Sequence, residues 1–313
     1  MGRGGSDAGA RGIEVEGVRR AFGDVLAVDA ISLTARPGEV TALVGPNGSG
    51  KTTLLLMLAS LLVPDRGTIR VDGLDPVSQH TQVRPRIGWM PDGFGTWDAL
   101  TVREVLQTIA AAYRMPTRLA DQRIGELLRT VHLDDLADRR ARVLSRGQKQ
   151  RLGLARALIH DPSVLLLDEP ASGLDPRSRI ELRDVLRDLA ARGRTILVSS
   201  HILTELQEVA DRAVIVARGR TIETQTLDSD DLRTHAAAWR MTALNEEALH
   251  AFLHERAIDS QSVPGGLEVE VAGEEGAARL LADLVSAGIR VTAFAPTQGA
   301  LETAYLAATE DRR

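Results

Sequence analysis

Short apolar runs alternate with longer helical stretches over the first two thirds of the chain. Two alternating β-branched runs within residues 13–33 predict antiparallel strands, and the continuous apolar run at 39–44 predicts a buried strand. Further strands are predicted at 86–90, 164–167, 195–198 and 213–217. Helices are predicted after the glycine-rich loop at 45–50 and over 101–113, 145–160, 176–191 and 202–209. This alternation is typical of an α/β domain with an antiparallel edge, which we place at residues 13–227.

Two hydroxyl residues are placed where predicted helices begin. Thr101, followed by Glu104, has the spacing of a capping box, in which each side chain binds the other residue's backbone N–H. Ser145 precedes the helix predicted over 145–160 and can cap it in the same way. Both positions therefore predict sharp helix starts.

The pattern restarts after a polar stretch that ends near Asp231. Strands are predicted at 239–242, near 258, at 267–271 and at 290–294, with helices over 246–256, 275–287 and 301–309. Pro264, Gly265 and Gly266 predict the central hairpin turn. The order β-α-β-β-α-β predicts a small C-terminal ferredoxin-like α+β domain at residues 228–313. Residues 1–12 are glycine-rich and are expected to form a flexible tail.

Composition narrows the class of protein. Hydrophobic residues make up 43% and charged residues 26% of the 313 positions, a balance typical of a soluble globular protein. The net charge of −5 provides no field that would attract nucleic acid, so we expect no nucleic-acid partner. There is no cysteine, and the longest apolar stretch is too short to span a bilayer. The N-terminus lacks a signal-peptide pattern, which favours a cytoplasmic location.

A phosphate-binding motif lies between the strand predicted at 39–44 and the helix that follows it. The motif consists of Gly45, Pro46, Asn47, Gly48, Ser49, Gly50, Lys51 and Thr52, and Thr53 follows directly. Its glycines allow backbone N–H groups to face phosphate oxygens, and the helix N-terminus adds a positive dipole end. Lys51 is expected on the β- and γ-phosphates and Thr52 on Mg²⁺. Lys51 is one of only two lysines in the chain, which marks a place where a compact ammonium is needed.

Two acids follow the apolar strand predicted at 164–167. Buried carboxylates are costly unless a cation compensates them, so Asp168 is expected to hold Mg²⁺ through its water shell. Glu169 is expected on the opposite side of the strand, where it can activate a water molecule as a general base. The alternative is a strand end at which both acids simply reach solvent.

These motifs, taken together with three others, carry a family resemblance. Leu144-Ser145-Arg146-Gly147-Gln148 is followed by LLLDEP, by Ser172-Gly173-Leu174-Asp175 and by Ser200-His201. The combination resembles the ATPase subunit of an ATP-binding cassette (ABC) transporter, from about residue 13 to 223. The sequences of these motifs are similar to those of the drug and antibiotic exporter cassettes that work with a separate permease. The resemblance implies a P-loop NTPase cassette with an antiparallel β subdomain and a helical subdomain.

The resemblance also implies a head-to-tail pair of cassettes, either two copies of this chain or this chain with a homologous cassette, around two ATP molecules with Mg²⁺. Ser145 and Gly147 would contact the γ-phosphate bound by the opposite subunit, and Gln148 and Asp175 would also belong to the nucleotide-binding residues. His201 would sense the γ-phosphate. Phe22 would stack on adenine, although a strand aromatic is often simply part of the core.

Two positions depart from the family pattern. Arg146 replaces the first glycine of the signature, and either a nucleotide contact or a solvent-facing position is open to it. Asp92 stands where a glutamine is usual, and it can still hold Mg²⁺ or a water molecule. Nearby aromatics suggest a partner surface: Trp89 is expected in the core, whereas Phe94 and Trp97 are expected at a permease interface.

The expected function is ATP hydrolysis that powers export through ABC permease transmembrane subunits. The chain is then expected in the cytoplasm, held at the inner face of the membrane by the permease. The main alternative is a soluble ABC ATPase of the translation or DNA-repair kind, and a regulator with little turnover is a third. The 228–313 domain is expected to be regulatory or to support the dimer.

Overall fold

The computed structural model describes residues 12–93, 95, 97–201, 209–226, 236–256, 258–263 and 265–296. The chain divides into two compact units, residues 1–225 and 226–313. The boundary that we predict between residues 227 and 228 stays a prediction, since residues 227–235 lie outside the described part. The predicted tail, apart from residue 12, and most of the helices predicted at 202–209 and 301–309 also lie outside it.

The first unit is built around a nine-stranded sheet. In chain order its strands are β1 (Ile13–Phe22), β2 (Val25–Ala35), β3 (Val40–Val44), β4 (Arg66–Val71), β5 (Ile87–Met90), β6 (Val164–Asp168), β7 (Thr195–Ser200), β8 (Arg212–Ala217) and β9 (Arg220–Thr226). Among its described residues, the α-helices are α1 (Lys51–Leu58), α2 (His80–Val83), α3 (Val102–Ala112), α4 (Thr117–Thr130), α5 (Arg146–Leu158) and α6 (Pro176–Ala191).

The strand order is β4-β1-β2-β9-β8-β3-β7-β6-β5. Strands β3, β5, β6, β7 and β8 run parallel to their neighbours in this group, whereas β1 pairs antiparallel with β2 and β4. Every residue of β3, β6 and β7 is buried, as expected for central strands covered on both faces. Because the carboxyl ends of parallel strands share one edge, the loops after β3, β6 and β7 meet there.

Three helices pack against one another and carry the signature sequence. Helices α3, α4 and α5 are in mutual contact, and α5 also packs on β5. Thr101 caps α3 and Ser145 caps α5, each with a complete capping box, which confirms both predicted helix starts. This group corresponds to the helical subdomain that the resemblance implies.

The second unit has a four-stranded sheet and two helices among its described residues. Its elements are β10 (Ala236–Ala243), α7 (Glu246–Glu255), β11 (Ser260–Val263), β12 (Gly266–Ala272), α8 (Gly273–Ser286) and β13 (Val291–Pro296). The sheet order is β11-β12-β10-β13 with antiparallel pairs throughout. Met241, Leu249, Leu253, Leu267 and Leu284 lie in its own apolar core. Its assignment as a ferredoxin-like domain stays a prediction.

Within the described residues, no helix has the length and apolar character that a bilayer crossing requires.

Candidate nucleotide site

The loop between β3 and α1 has the backbone of an anion cradle. Gly50, the residue before α1, has a φ of 101°, and a Cβ there would lie 2.6 Å from the carbonyl oxygen of Ala27. Only glycine fits that position without displacing backbone atoms. The start of α1 has no side-chain cap and no acidic residue in its first turn, so its N–H groups are available to an anion.

Lys51 is 94% buried and points its ammonium into this loop. Its Nζ donates hydrogen bonds to the carbonyl oxygens of Gly45 at 2.7 Å and Pro46 at 3.1 Å. Burial lowers the pKa of Lys51, while the negative charges of Glu169 and Asp168 oppose that shift. A buried cation beside free helix N–H groups suits a polyphosphate, so the loop fits the β- and γ-phosphates of ATP.

Thr52 and Asp168, both predicted to hold Mg²⁺, are in direct contact. The hydroxyl of Thr52 donates to Asp168 Oδ2 at 2.8 Å, and Asp168 is 98% buried. Among the described residues, no cluster of three or more His, Asp or Glu side chains could hold a metal ion unaided. One carboxylate and one hydroxyl beside a phosphate cradle is nevertheless a donor set that suits Mg²⁺, which takes its remaining ligands from phosphates and water.

Glu169 and His201 form a direct pair at the same edge. His201 Nδ1 lies 2.9 Å from Glu169 Oε2, and the Glu169 side chain is mostly buried. Strand β6 ends at Asp168, and Glu169 has a φ of 50°. Glu169 thus lies just past the strand, where a turn in the backbone places its carboxylate beside His201, and its expected position on the opposite side of the strand stays a prediction.

The signature residues open α5. The Ser145 hydroxyl accepts from the Gln148 N–H at 3.3 Å, and the Gln148 side chain accepts from the Ser145 N–H at 2.9 Å. Gly147 follows in the first helical turn, with a Cβ position 3.3 Å from the Leu174 side chain. Arg146 is exposed, and its guanidinium donates to Ser172 Oγ at 2.9 Å. This contact joins the signature to the loop before α6.

Asp175 caps α6 at the end of that loop. Its carboxylate accepts from both the N–H and the hydroxyl of Ser178, at 3.0 and 2.7 Å. The Ser178 side-chain hydrogen bond, followed by that from the Ser178 backbone, lowers the pKa of Asp175. Asp175 is exposed, so a further contact in an assembly is sterically open to it.

Two predicted positions lie on the surface. Phe22 is 47% exposed, with the Arg20 guanidinium 4.9 Å from its ring centre, so it does not belong to the core. Asp92 is exposed and follows β5 on the sheet edge where β6 ends in Asp168. The roles of Phe22 in adenine stacking and of Asp92 at the metal stay predictions.

The aromatic residues Trp89 and Trp97 lie in different environments. Trp89 packs against the apolar core, which confirms its predicted role. Trp97 is 46% exposed, and the Arg156 guanidinium lies 5.8 Å from its ring centre. Phe94 lies outside the described residues.

One residue at this edge escaped sequence reasoning. Ser199 on β7 donates to Asp168 Oδ1 at 2.5 Å and accepts from the Glu169 N–H at 3.1 Å. Its signal was a pair of serines closing an otherwise apolar strand, directly before His201.

Comparison with known proteins agrees with this geometry. Residues 28–172 match the family described as ABC transporter. Nod factor export ATP-binding protein I of Burkholderia lata is 41% identical over 210 residues, which are 67% of this chain and 69% of the relative. Daunorubicin resistance ATP-binding protein DrrA3 of Streptomyces coeruleorubidus is 38% identical over 236 residues, 75% of this chain and 74% of the relative.

Among solved structures, the ATP-binding cassette MJ0796, in a dimeric post-hydrolysis state bound to ADP and Pi, has a similar fold. Its TM-score is 0.63 at 26% identity, covering 69% of this chain and 99% of that cassette. A cassette that brings the phosphate loop, the Asp168-Glu169 pair and His201 to one sheet edge, and that carries the signature sequence at the start of α5, is an ABC-type ATPase. The chain belongs to the ABC transporter family, as an ATP-binding subunit, and its relatives include subunits of exporters.

Proposed function

We propose that this chain is the ATP-hydrolysing subunit of an exporter, closing with a second cassette around two MgATP and driving a separate permease. The observation that carries the proposal is the convergence of Lys51, Thr52, Asp168, Glu169 and His201 at one edge of the sheet. In a single place, these groups supply a positive charge for the phosphates, ligands for a metal ion and a general base.

Each side chain has a distinct part in hydrolysis. Lys51 exchanges its carbonyl acceptors for the β- and γ-phosphates, while Thr52 and Asp168 hold Mg²⁺. The bound metal neutralises charge that develops on the phosphate oxygens. Glu169 accepts the proton of the attacking water, and its hydrogen bond to His201 orients the carboxylate.

The remaining contacts belong to the closed pair. Phe22 stacks on adenine, and Asp92 holds the metal or its water. Ser145, Gly147, Gln148 and Asp175 meet the nucleotide of the opposite subunit, and the positive dipole end of α5 favours its γ-phosphate. Two complete sites then form for each pair of chains.

The permease is expected to dock beside Trp97. This exposed ring lies next to Arg156, which lines an open hollow together with Trp89, Ile109, Tyr113 and His160. Exposed tryptophan with arginine is typical of interface anchors. The names of the relatives, Nod factor export and daunorubicin resistance, support export as the direction of transport. The chain then lies at the inner face of the membrane, with the 228–313 domain as an accessory.

The rival proposal is a soluble ABC ATPase without a transport partner. Purification of the tagged chain from detergent-solubilised membranes separates the two. A stoichiometric polytopic membrane protein supports the exporter, and an exclusively soluble assembly contradicts it.

The substitution Glu169→Gln tests the hydrolytic mechanism. Removal of a positioned general base lowers rates by ~10²–10⁴, so hydrolysis should nearly stop while ATP binding persists. Because hydrolysis reopens the pair, the variant should accumulate as an ATP-dependent dimer in size-exclusion chromatography with light scattering.

Glu181→Gln is the matched control, because Glu181 is a partly buried carboxylate on α6 that pairs with Arg151. It should hydrolyse ATP as the wild type does. Wild-type turnover in Glu169→Gln would remove Glu169 as the base, and an inactive, nucleotide-saturated monomer would contradict the dimeric mechanism.

A further inference from the structure

We propose that Ser199 is a positioning residue for both acids of the site, fixing the carboxylate of Asp168 toward the metal and the backbone of Glu169 toward the water. The inference rests on the proposed ATPase function of this edge. It adds a residue on a third strand to the two motifs that the sequence identifies.

The sheet order places Ser199 between the two motifs. Strand β7 lies between β3, which leads into the phosphate loop, and β6, which ends in Asp168. The parallel register pairs Ser199 with Leu43 on one side and Asp168 on the other. Ser199 is completely buried, so solvent cannot replace its hydrogen bonds.

The hydrogen-bond directions at Ser199 follow from the partners. The Glu169 N–H can only donate, so Ser199 Oγ accepts there at 3.1 Å. The hydroxyl proton is then free to point at Asp168 Oδ1, which lies 2.5 Å away. Asp168 thus has one oxygen held by Ser199 and the other, Oδ2, facing Thr52. Since both oxygens are fixed, the plane of the carboxylate is fixed as well.

The same hydroxyl supports an uncommon backbone conformation. Glu169 has a φ of 50°, a region that non-glycine residues seldom occupy and that often marks functional sites. Its N–H is shared between the carbonyl oxygen of Ser199 at 3.2 Å and the Ser199 hydroxyl. This turn directs the Glu169 side chain to His201, so loss of the hydroxyl should loosen the base and the metal ligand together.

The test compares Ser199→Ala with Thr41→Val. Thr41 is a completely buried residue on neighbouring β3, and its hydroxyl has no hydrogen-bond partner among the described residues. Both variants therefore delete a buried hydroxyl in the central sheet, and only the first touches the acids. The dissociation constant of ATP is measured by calorimetry with Mg²⁺ and with EDTA, alongside the thermal melting temperature.

Outer-shell partners of metal ligands typically contribute 10–100-fold to metal affinity or activity. Ser199→Ala should lose about that factor in the tightening of ATP binding by Mg²⁺, whereas its ATP affinity in EDTA should be unchanged, which shows that the site is still folded. An unchanged Mg²⁺ dependence, or equal losses with and without Mg²⁺, would overturn the proposal. If the wild type binds MgATP without hydrolysing it, the proposed function fails, and the Mg²⁺ dependence still decides the role of Ser199.

Discussion

The side chain of His160 contacts Tyr113, the residue after α3, and Ile87, the first residue of β5. Its ring stacks on Tyr113 with centres 3.8 Å apart and planes 5° from parallel. Nε2 lies 2.9 Å from the carbonyl oxygen of Ile87 and must donate to it, which leaves Nδ1 without a proton. Nδ1 is buried and has no hydrogen-bond partner within the described part of the chain. Burial accordingly lowers the pKa of His160 below 6.5.

A pH-dependent loss of stability follows from this histidine. Because its folded-state pKa is lowered, the unfolded chain binds the proton more readily, and stability falls as pH drops from about 6.5 through the folded pKa. His160→Phe keeps an aromatic ring beside Tyr113 and removes the titration. Its free energy of unfolding should depend less on pH than that of the wild type, as measured by urea denaturation between about pH 5 and 8.

Since every other group is the same in both proteins, only the difference between the two curves reports on His160. Parallel curves over the whole range would contradict the assignment.

Whether a residue of the site could be predicted depends on how far away in the sequence its partners lie. Lys51, Thr52, Asp168 and Glu169 could be assigned because each belongs to a short motif with a fixed chemical role. Ser199 could not, because its partners lie outside its own strand, and the pair of serines that closes β7 does not by itself indicate what either serine contacts. Contacts of this kind depend on sheet register, which one sequence does not specify.

At the scale of elements, the capping boxes of α3 and α5 form a matched pair. Thr101 with Glu104 and Ser145 with Gln148 have the same geometry, but only Ser145 belongs to the signature. Thr101→Ala and Ser145→Ala should each cost about 1 kcal/mol of unfolding free energy through loss of the cap. Only Ser145→Ala should also lower the rate of ATP hydrolysis, because it alone removes a group proposed to face nucleotide.

Denaturation curves and steady-state hydrolysis by the two proteins provide the comparison. An equal fall in hydrolysis for both would assign Ser145 a purely structural part.

Most elements follow from periodicity, but α2, α4, β4 and β9 were not predicted, and the reasons for missing α4 and β4 differ in kind. Helix α4 has buried residues at Ala120, Ile124, Leu127 and Leu128, a helical spacing that was present in the sequence and that we did not assign. In β4, only Ile69 and Val71 are buried among polar neighbours, so its short pattern is too weak to predict a strand. Its pairing with β1 forms it.

At the scale of the whole molecule, the chain ended after residue 227 should fold and bind MgATP. The first unit has its own core, and this end point retains all of β9. Circular dichroism and calorimetry with ATP measure the two properties. The control ends after Ala217 and lacks β9, which lies between β2 and β8 and joins the antiparallel strands to the parallel ones.

The control should be far less stable than the longer fragment, because Ala30 and Asp29 lose their partner Arg220 and an internal strand is missing. An unfolded 1–227 fragment would show that the C-terminal unit is needed to form the cassette.

The two-part organisation was predictable from the restart of the hydrophobic pattern, whereas the sheet order was not. Strand β9 follows β8 directly in sequence and pairs with β2 from the start of the chain. The pairing Ala30 with Arg220 depends on global closure of the sheet, and no local pattern near either residue indicates it.

The burial of Lys51 also makes it a probe of the phosphate loop, because its reaction with amine-specific reagents depends on its accessibility. Lysine occurs only at positions 51 and 149, so an acylating reagent meets two side-chain amines and the N-terminus. Lys149 is half-buried, and Lys51 is nearly inaccessible although its lowered pKa favours the reactive free amine. The extent of acylation of the peptide that contains Lys51, measured by mass spectrometry, therefore reports how far the phosphate loop opens as nucleotide enters and leaves.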